Sequence, residues 1–336
     1  MIHRSNWKYV LAYLKYRQEV DQISISSQRL HETWLRHLLE WADSQSFERV
    51  QKIRPTFPEY MLTARMNTEG EKLSPIYVRH VVGASRSFFD WMGKYQRGFS
   101  FINQAWLDTL KPPRMTIEPV EHEYVTIEEV RAIAAVPVRS VGEQRIQASA
   151  VFWFLSGIRV GAFVTLPLSA IDLKERTVKQ WPRLGVKTKF QKHATTYLLD
   201  IPDLLEVVKK WDDEVRAVLQ SKGFWFAPIS PETGEIDPTI SKVGYHRNVR
   251  ARKDIKAFLK SANLPYHSPH KFRHGNAVYC LKLAKDVHDL KAISQNLMHA
   301  NLSVTDGVYG ILSDNDVTRR IGALGKRKDQ DMSGGI

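Results

Sequence analysis

Between Ala148 and Ile171 the chain is mostly apolar, a run long enough to cross a bilayer, yet Arg159 stands at its middle. Holding that guanidinium at the centre of a membrane would cost roughly 2.5–3.5 kcal/mol. Gly157 and Gly161 flank the arginine and Pro167 interrupts the run, which suits a buried, bent helix in a soluble protein. A buried guanidinium needs an anionic partner, and no carboxylate stands close to Arg159 in the sequence. A phosphate ligand would supply the missing charge.

The charge balance points the same way. Of 336 residues, 49 are Lys or Arg and 36 are Asp or Glu, a net charge of +13. Both halves of the chain are basic, so a polyanion could be gripped from two sides. A membrane surface would also attract this charge, but no amphipathic, lysine-rich terminal helix is present to favour it. Met1-Ile2-His3-Arg4-Ser5 lacks the apolar run of a signal peptide. Cys280 is the only cysteine, which excludes an internal disulfide and a cysteine-based zinc site and fits a reducing cytoplasm. Set among Ala277, Val278 and Leu281, it reads as a small core residue.

The pattern of elements predicts two domains. Helices are expected over Asn6 to Val20, Ser26 to Asp43, around Tyr60 and Met61, and from Leu73 to Tyr95. Leu30, Trp34, Leu38 and Trp41 form one apolar stripe, and Tyr77, Val81, Ala84, Phe88 and Trp91 another. Such stripes are core rather than a base-stacking platform. Arg79 and Arg86, on the opposite face, are candidate phosphate contacts. Lys111-Pro112-Pro113-Arg114 to Glu121 cannot continue a helix and reads as the linker, giving domains over 1–118 and 119–336. Thr126 and Glu129 then form a capping box. Helices to about Phe163 are followed by strand-like runs at Thr177 to Trp181, Lys187 to Lys189 and Thr195 to Leu199. The expected fold is therefore mainly α with a small antiparallel β-sheet, a helical N-terminal domain preceding an α+β one.

Between Lys242 and Lys260 stand seven basic residues and one acid, Asp254. Ile255, Phe258 and Leu259 face inward, while Arg252, Lys256 and Lys260 recur at i, i+4, i+8 on another face. Arg247, Arg250, Arg252, Lys253, Lys256 and Lys260 are accordingly candidate phosphate contacts on a polyanion. Directly downstream, Ser268-Pro269 marks a helix start. His270 and Arg273 then project from one face of its first turn, a place suited to holding a phosphate. His270, His274 and His299 could alternatively gather a metal, but no Glu completes a metalloprotease pattern on that helix.

Arg159, a hairpin lysine, His270-x-x-Arg273, His299 and Tyr309 occur in this order. The set resembles the active site of the tyrosine recombinase (phage integrase) family. The resemblance covers the whole second domain, and the first resembles the family's core-binding domain. Ala162 stands where the family often carries an acid, and Met298 where it usually has glycine. Lys187 fits the hairpin lysine, with Lys189 second.

What the resemblance implies is a site-specific recombinase that cleaves and rejoins DNA through a 3′-phosphotyrosyl intermediate. Arg159 and Arg273 would clamp the scissile phosphate without metal or other cofactor. His270 would assist Tyr309, and His299 would hydrogen-bond the phosphate. The lysine would protonate the leaving 5′ oxygen. The implied partners are double-stranded DNA, three further copies of the chain forming a tetramer on it, and possible accessory DNA-bending proteins. The stripe Val317, Ile321, Leu324 is a candidate for docking between copies. The role expected is integration or excision of a mobile element in the cytoplasm. The competing readings are a catalytically inactive DNA-binding protein on the same fold and, less suited to so small a first domain, a monomeric topoisomerase.

Overall fold

The computed structural model describes residues 2–112 and 123–299, apart from 220, 222, 241–243 and 245. The chain divides into two compact units, Met1–Glu118 and Pro119–Ile336.

The first unit holds α1 (Arg4–Glu19), α2 (Ile25–Ala42), α3 (Phe57–Thr63), α4 (Pro75–Tyr95) and α5 (Gln104–Leu107). Ser24 and Ser74 cap α2 and α4 by accepting from the backbone of Ser27 and Tyr77, leaving fewer orphan donors at the helix starts. The aromatic stripes close on one another as core. Tyr13 meets Phe88 edge-on at 5.4 Å, and Phe47 meets Phe89 at 5.3 Å. Leu30 departs from its expected stripe and is exposed. The fully buried Asn6 is satisfied by Gln45 O and the Phe47 N–H, so the one polar side chain in the α1 core face links α1 to the turn after α2.

The second unit is built around α7 (Val141–Ser156), which is buried from Arg145 to Ser156 without a break. A helix buried on every side belongs at the centre of a large core, and α7 packs against α6 (Ile127–Ala134), α9 (Pro202–Leu219), α10 (Arg247–Ser261) and α11 (Pro269–Leu283). The apolar run read from the sequence is thus two helices, not one. α7 ends at Gly157, and the short α8 (Val160–Phe163) starts after Arg159. The capping box of α6 forms, Glu129 N–H donating to Thr126 Oγ1 at 3.2 Å and Thr126 N–H to Glu129 Oε2 at 2.8 Å.

The sheet has three antiparallel strands in order β1 (Ile171–Asp172), β2 (Thr177–Gln180), β3 (Ala194–Tyr197). The expected strand at Lys187 to Lys189 does not form. Gln180 pairs directly with Ala194, so the residues between lie beyond the ladder, and Ile171–Asp172 supplies the third strand. α12 (Val287–Asn296) completes the described part. None of the described helices is long and apolar enough to cross a membrane.

The lone acid of the basic α10 has a structural task. Arg145, 4% exposed in α7, donates to Asp254 Oδ2 at 2.6 Å and to Ala227 O at 2.5 Å, with its guanidinium 4.2 Å from the Phe226 ring. Burial pushes its pKa down to about 10, still charged at neutral pH. Removing one partner of a buried pair leaves an uncompensated charge. Asp254→Ala should therefore lower unfolding free energy by about 3–5 kcal/mol. Asp108→Ala, which strips the half-buried Arg86 of its partner at the surface, should cost less than about 1 kcal/mol. Urea denaturation midpoints measure both.

Candidate active site

Two helix ends meet at this site, and both leave the right-handed region as they stop. Gly157 closes α7 at φ 59°, its N–H bonded to Trp153 O at 3.0 Å. A Cβ there would lie 2.6 Å from Leu297 Cδ2 and 2.7 Å from Asn276 Oδ1, so space as well as conformation demands glycine. Asn276, buried in α11, donates to Phe154 O at 2.7 Å and holds this end of α7 in place. On the same helix Gly275 allows a close approach. A Cβ at 275 would fall 2.0 Å from Val125 O.

α12 ends in a paired 5→2 and 6→1 arrangement, the Schellman motif. The Met298 N–H bonds Gln295 O at 2.8 Å and the His299 N–H bonds Ser294 O at 3.0 Å. Met298 takes the left-handed position at φ 53°, which explains why glycine would suit it. The motif fixes where His299 emerges.

Arg273 joins the two ends. Buried to 3% exposure, it donates to Gly157 O, to Leu297 O at 2.5 Å, and to His299 Nε2 at 2.9 Å. Carbonyls at helix C-termini carry partial negative charge and favour a cation. A guanidinium can only donate, so His299 Nε2 is the acceptor and the neutral ring carries its proton on Nδ1. Burial, then the charges of Arg273, Arg159 and Lys192, push the His299 pKa down to about 4. Arg159 is half-buried at the start of α8, not sealed in the core as the sequence suggested. His270 lies exposed in the first turn of α11, its ring edge-on to His274 at 4.3 Å. Tyr309, and the stripe Val317, Ile321, Leu324, lie outside the described residues.

Three lysines on the β2–β3 connection differ in placement. The Lys187 backbone N–H donates to the buried Thr165 Oγ1 at 2.9 Å, tying the connection to the end of α8, while its side chain is exposed. Lys189 is exposed. Lys192 reaches Met298 O at 3.4 Å, beside His299. Sequence reasoning missed Lys192 and Asn276. A signal for the first existed: residues 177–199 contain Lys179, Arg183, Lys187, Lys189 and Lys192 and no acid. Nothing in the sequence marks Asn276.

The candidate DNA contacts divide. Arg252, Lys253, Lys256 and Lys260 are exposed on α10, and none forms an ion pair with a described residue. Arg247 is turned inward, donating to Val164 O at 3.0 Å and to Phe226 O, and burial lowers its pKa to about 10. Arg250 pairs with Asp254 at 2.8 Å. In the first unit Arg79 is exposed, and Arg86 pairs with Asp108 at 2.8 Å. Burial raises the Cys280 thiol to about 11, so it stays protonated at neutral pH. Among the described residues no group of His, Cys, Asp or Glu could hold a metal ion.

Residues 123–315, more than half of the chain, match the sequence profile described as the phage integrase family. No protein with a curated description matches the chain in sequence. Solved structures share its fold. A lambda integrase dimer bound to a COC′ core site is 13% identical, with a TM-score of 0.62 over 94% of this chain and 98% of that one. The Tn1549 transposon integrase in complex with circular intermediate DNA is 14% identical, with a TM-score of 0.57 over 94% and 99%. The XerH site-specific recombinase bound to difH substrate, a pre-cleavage complex, is 15% identical, with a TM-score of 0.56 over 93% and 97%.

The depressed His299 pKa is open to measurement. The folded protein binds fewer protons than the unfolded chain between about 4 and 6.5, so this group makes stability fall as pH drops through that window. In an NMR titration His299 should stay neutral above pH 5. Lys192→Ala should raise its midpoint towards 6.5, and Lys187→Ala should leave it in place.

Proposed function

Because the chain belongs to the phage integrase family, we propose that it is a site-specific DNA recombinase whose second unit cuts and rejoins DNA through a covalent phosphotyrosine. Its task is to integrate or excise a mobile element, in the cytoplasm. The observation that carries this reading is the meeting of Arg273 with His299 between two helix ends, with Arg159 and Lys192 acting on the same ring.

The chemistry follows from charge. A phosphodiester is anionic, and attack by a nucleophile adds charge to its equatorial oxygens. Arg159 and Arg273 offer planar donors to those oxygens, doing by hydrogen bonding what a metal ion would otherwise do. A phenol of pKa about 10 is barely ionised at neutral pH, so Tyr309 gives its proton to His270 as its oxygen attacks phosphorus. The P–O5′ bond breaks, and the departing oxygen takes a proton from Lys187. His299 hydrogen-bonds the phosphate. The reverse step, attack by a 5′ hydroxyl, releases Tyr309 and reseals the strand.

The exposed α10 cations grip flanking phosphates. The first unit, with Arg79 exposed on α4, holds the duplex as a core-binding domain. Exchange between two duplexes cut twice each requires four copies, with the Val317, Ile321, Leu324 stripe docking between neighbours and accessory bending proteins assisting where the site demands it. Binding of DNA by the structural relatives, a core site in one and a circular intermediate in another, supports the choice of substrate. The second reading, an inactive DNA-binding protein, is disfavoured by the presence of Arg159, Arg273 and Tyr309. A second candidate acid, Lys192, is favoured by its contact with Met298 O.

A nicked duplex, carrying a site selected by the protein from a random pool, should trap it covalently. Tyr309→Phe should abolish the adduct, and excess EDTA should leave it unchanged. Trapping that persists in Tyr309→Phe would remove the tyrosine from this role. A 5′-bridging sulfur leaves without protonation, so it should restore cleavage to Lys187→Ala; rescue of Lys192→Ala instead would hand the acid role to Lys192.

A further inference from the structure

The β2–β3 connection carries two aromatic side chains, and the fold treats them oppositely. Trp181, at its base, is enclosed by its own loop. His193 stacks on it at 4.8 Å and 16°, Arg183 lies 4.3 Å from the ring, and Lys179 lies 5.4 Å away. Phe190, at the turn, is 80% exposed, and no other large apolar side chain among the described residues is more so. Lys189 approaches its ring at 5.1 Å.

That exposure is built in. Thr188 Oγ1 donates to Lys192 O at 2.7 Å and closes the turn on either side of Phe190. Phe190 and Gln191 both occupy the left-handed region, at φ 57° and 50°. Two consecutive non-glycine residues there are disfavoured, and the turn persists because both its flanks are anchored. Lys187 is tied by its backbone to Thr165, and Lys192 by its ammonium to Met298 O. These anchors lead to α8, which begins after Arg159, and to the loop that carries His299. A bare phenyl ring is therefore held on a short, closed turn whose two feet stand beside the candidate cleavage residues.

The surroundings select the occupant. Residues 177–199 bear five Lys or Arg and no acid, a setting that repels basic protein surfaces and attracts a polyanion. Where such a loop meets DNA, the cations take phosphates and an apolar side chain at the tip has one complementary surface left, the face of a base. We propose that Phe190 is a wedge that stacks on a nucleobase next to the scissile phosphate and unstacks that step. It is a positioning residue, acting through the DNA rather than on the reacting atoms. The proposal rests on the recombinase reading and adds to it the loop's distortion of one base step.

The test uses the full chain and the selected duplex, with 2-aminopurine placed at each position in turn. Binding of the unaltered protein should raise the fluorescence at one position beside the cleavage point. Phe190→Ala should abolish that rise and slow cleavage about ten- to a hundredfold, while Phe190→Trp keeps both near normal. A mismatch at the same step, which removes most of the cost of unstacking, should restore cleavage by Phe190→Ala. A rise that survives in Phe190→Ala, or a mismatch that fails to rescue it, would overturn the proposal. So would a Phe190→Ala protein that loses only multimer formation on DNA, since the ring would then cover a neighbouring copy. Failure of the unaltered protein to bind or cut any duplex would instead overturn the recombinase reading and the wedge with it.

Discussion

A guanidinium held between two helix C-termini is the contact on which the second unit depends. Arg273 brings a full positive charge to Gly157 O and Leu297 O, where each helix presents carbonyls without partners of their own. Those carbonyls give the buried cation acceptors inside the protein. They also dictate what surrounds it. Gly157 must be glycine to let Leu297 and Asn276 close in, and α12 must end in a left-handed residue to turn His299 towards the guanidinium. Burial, reinforced by the same cation, then keeps the imidazole neutral, with its proton on Nδ1.

Basic residues are sorted by this fold into two kinds of work. Arg145 and Arg247 turn inward, bonding carbonyls around Phe226 and lying against its ring. Asp254 neutralises Arg145 and draws in Arg250. The outward cations of α10 project from a helix pinned by this network. Rigid support for a charged face matters because side chains that are already in place lose less freedom when they bind a partner.

The β2–β3 connection unites the sheet with the cluster. Its register is set by Gln180 opposite Ala194, which leaves a loop long enough to touch Thr165 at one end and Met298 at the other. A loop fastened at both flanks can present cations and an aromatic ring without collapsing them onto the protein. The same fastening accounts for the tolerated left-handed backbone at its tip.

Much was legible from residues alone where local physics decides. Mixed apolar periodicity and prolines indicated a helical first part and a mainly α second part with a small antiparallel sheet, and the phage integrase resemblance rested on boxes whose order a linear chain preserves. The Thr126–Glu129 cap and the helix start at Ser268-Pro269 followed from spacing within one turn. Long-range neighbours were not available to such reasoning. That Asp254 answers Arg145, that Arg247 turns inward, that Lys192 lies by His299, and that Asn276 holds the end of α7 all join residues far apart in the chain. The missing strand at Lys187 to Lys189 has the same origin, because strand propensity is local while pairing is settled by which partner the folded chain brings alongside. Sequence determined the types of residue at hand and the helices that carry them. Only the tertiary structure decided which cations face inward, since that depends on which carbonyls and carboxylates the packing leaves beside each one.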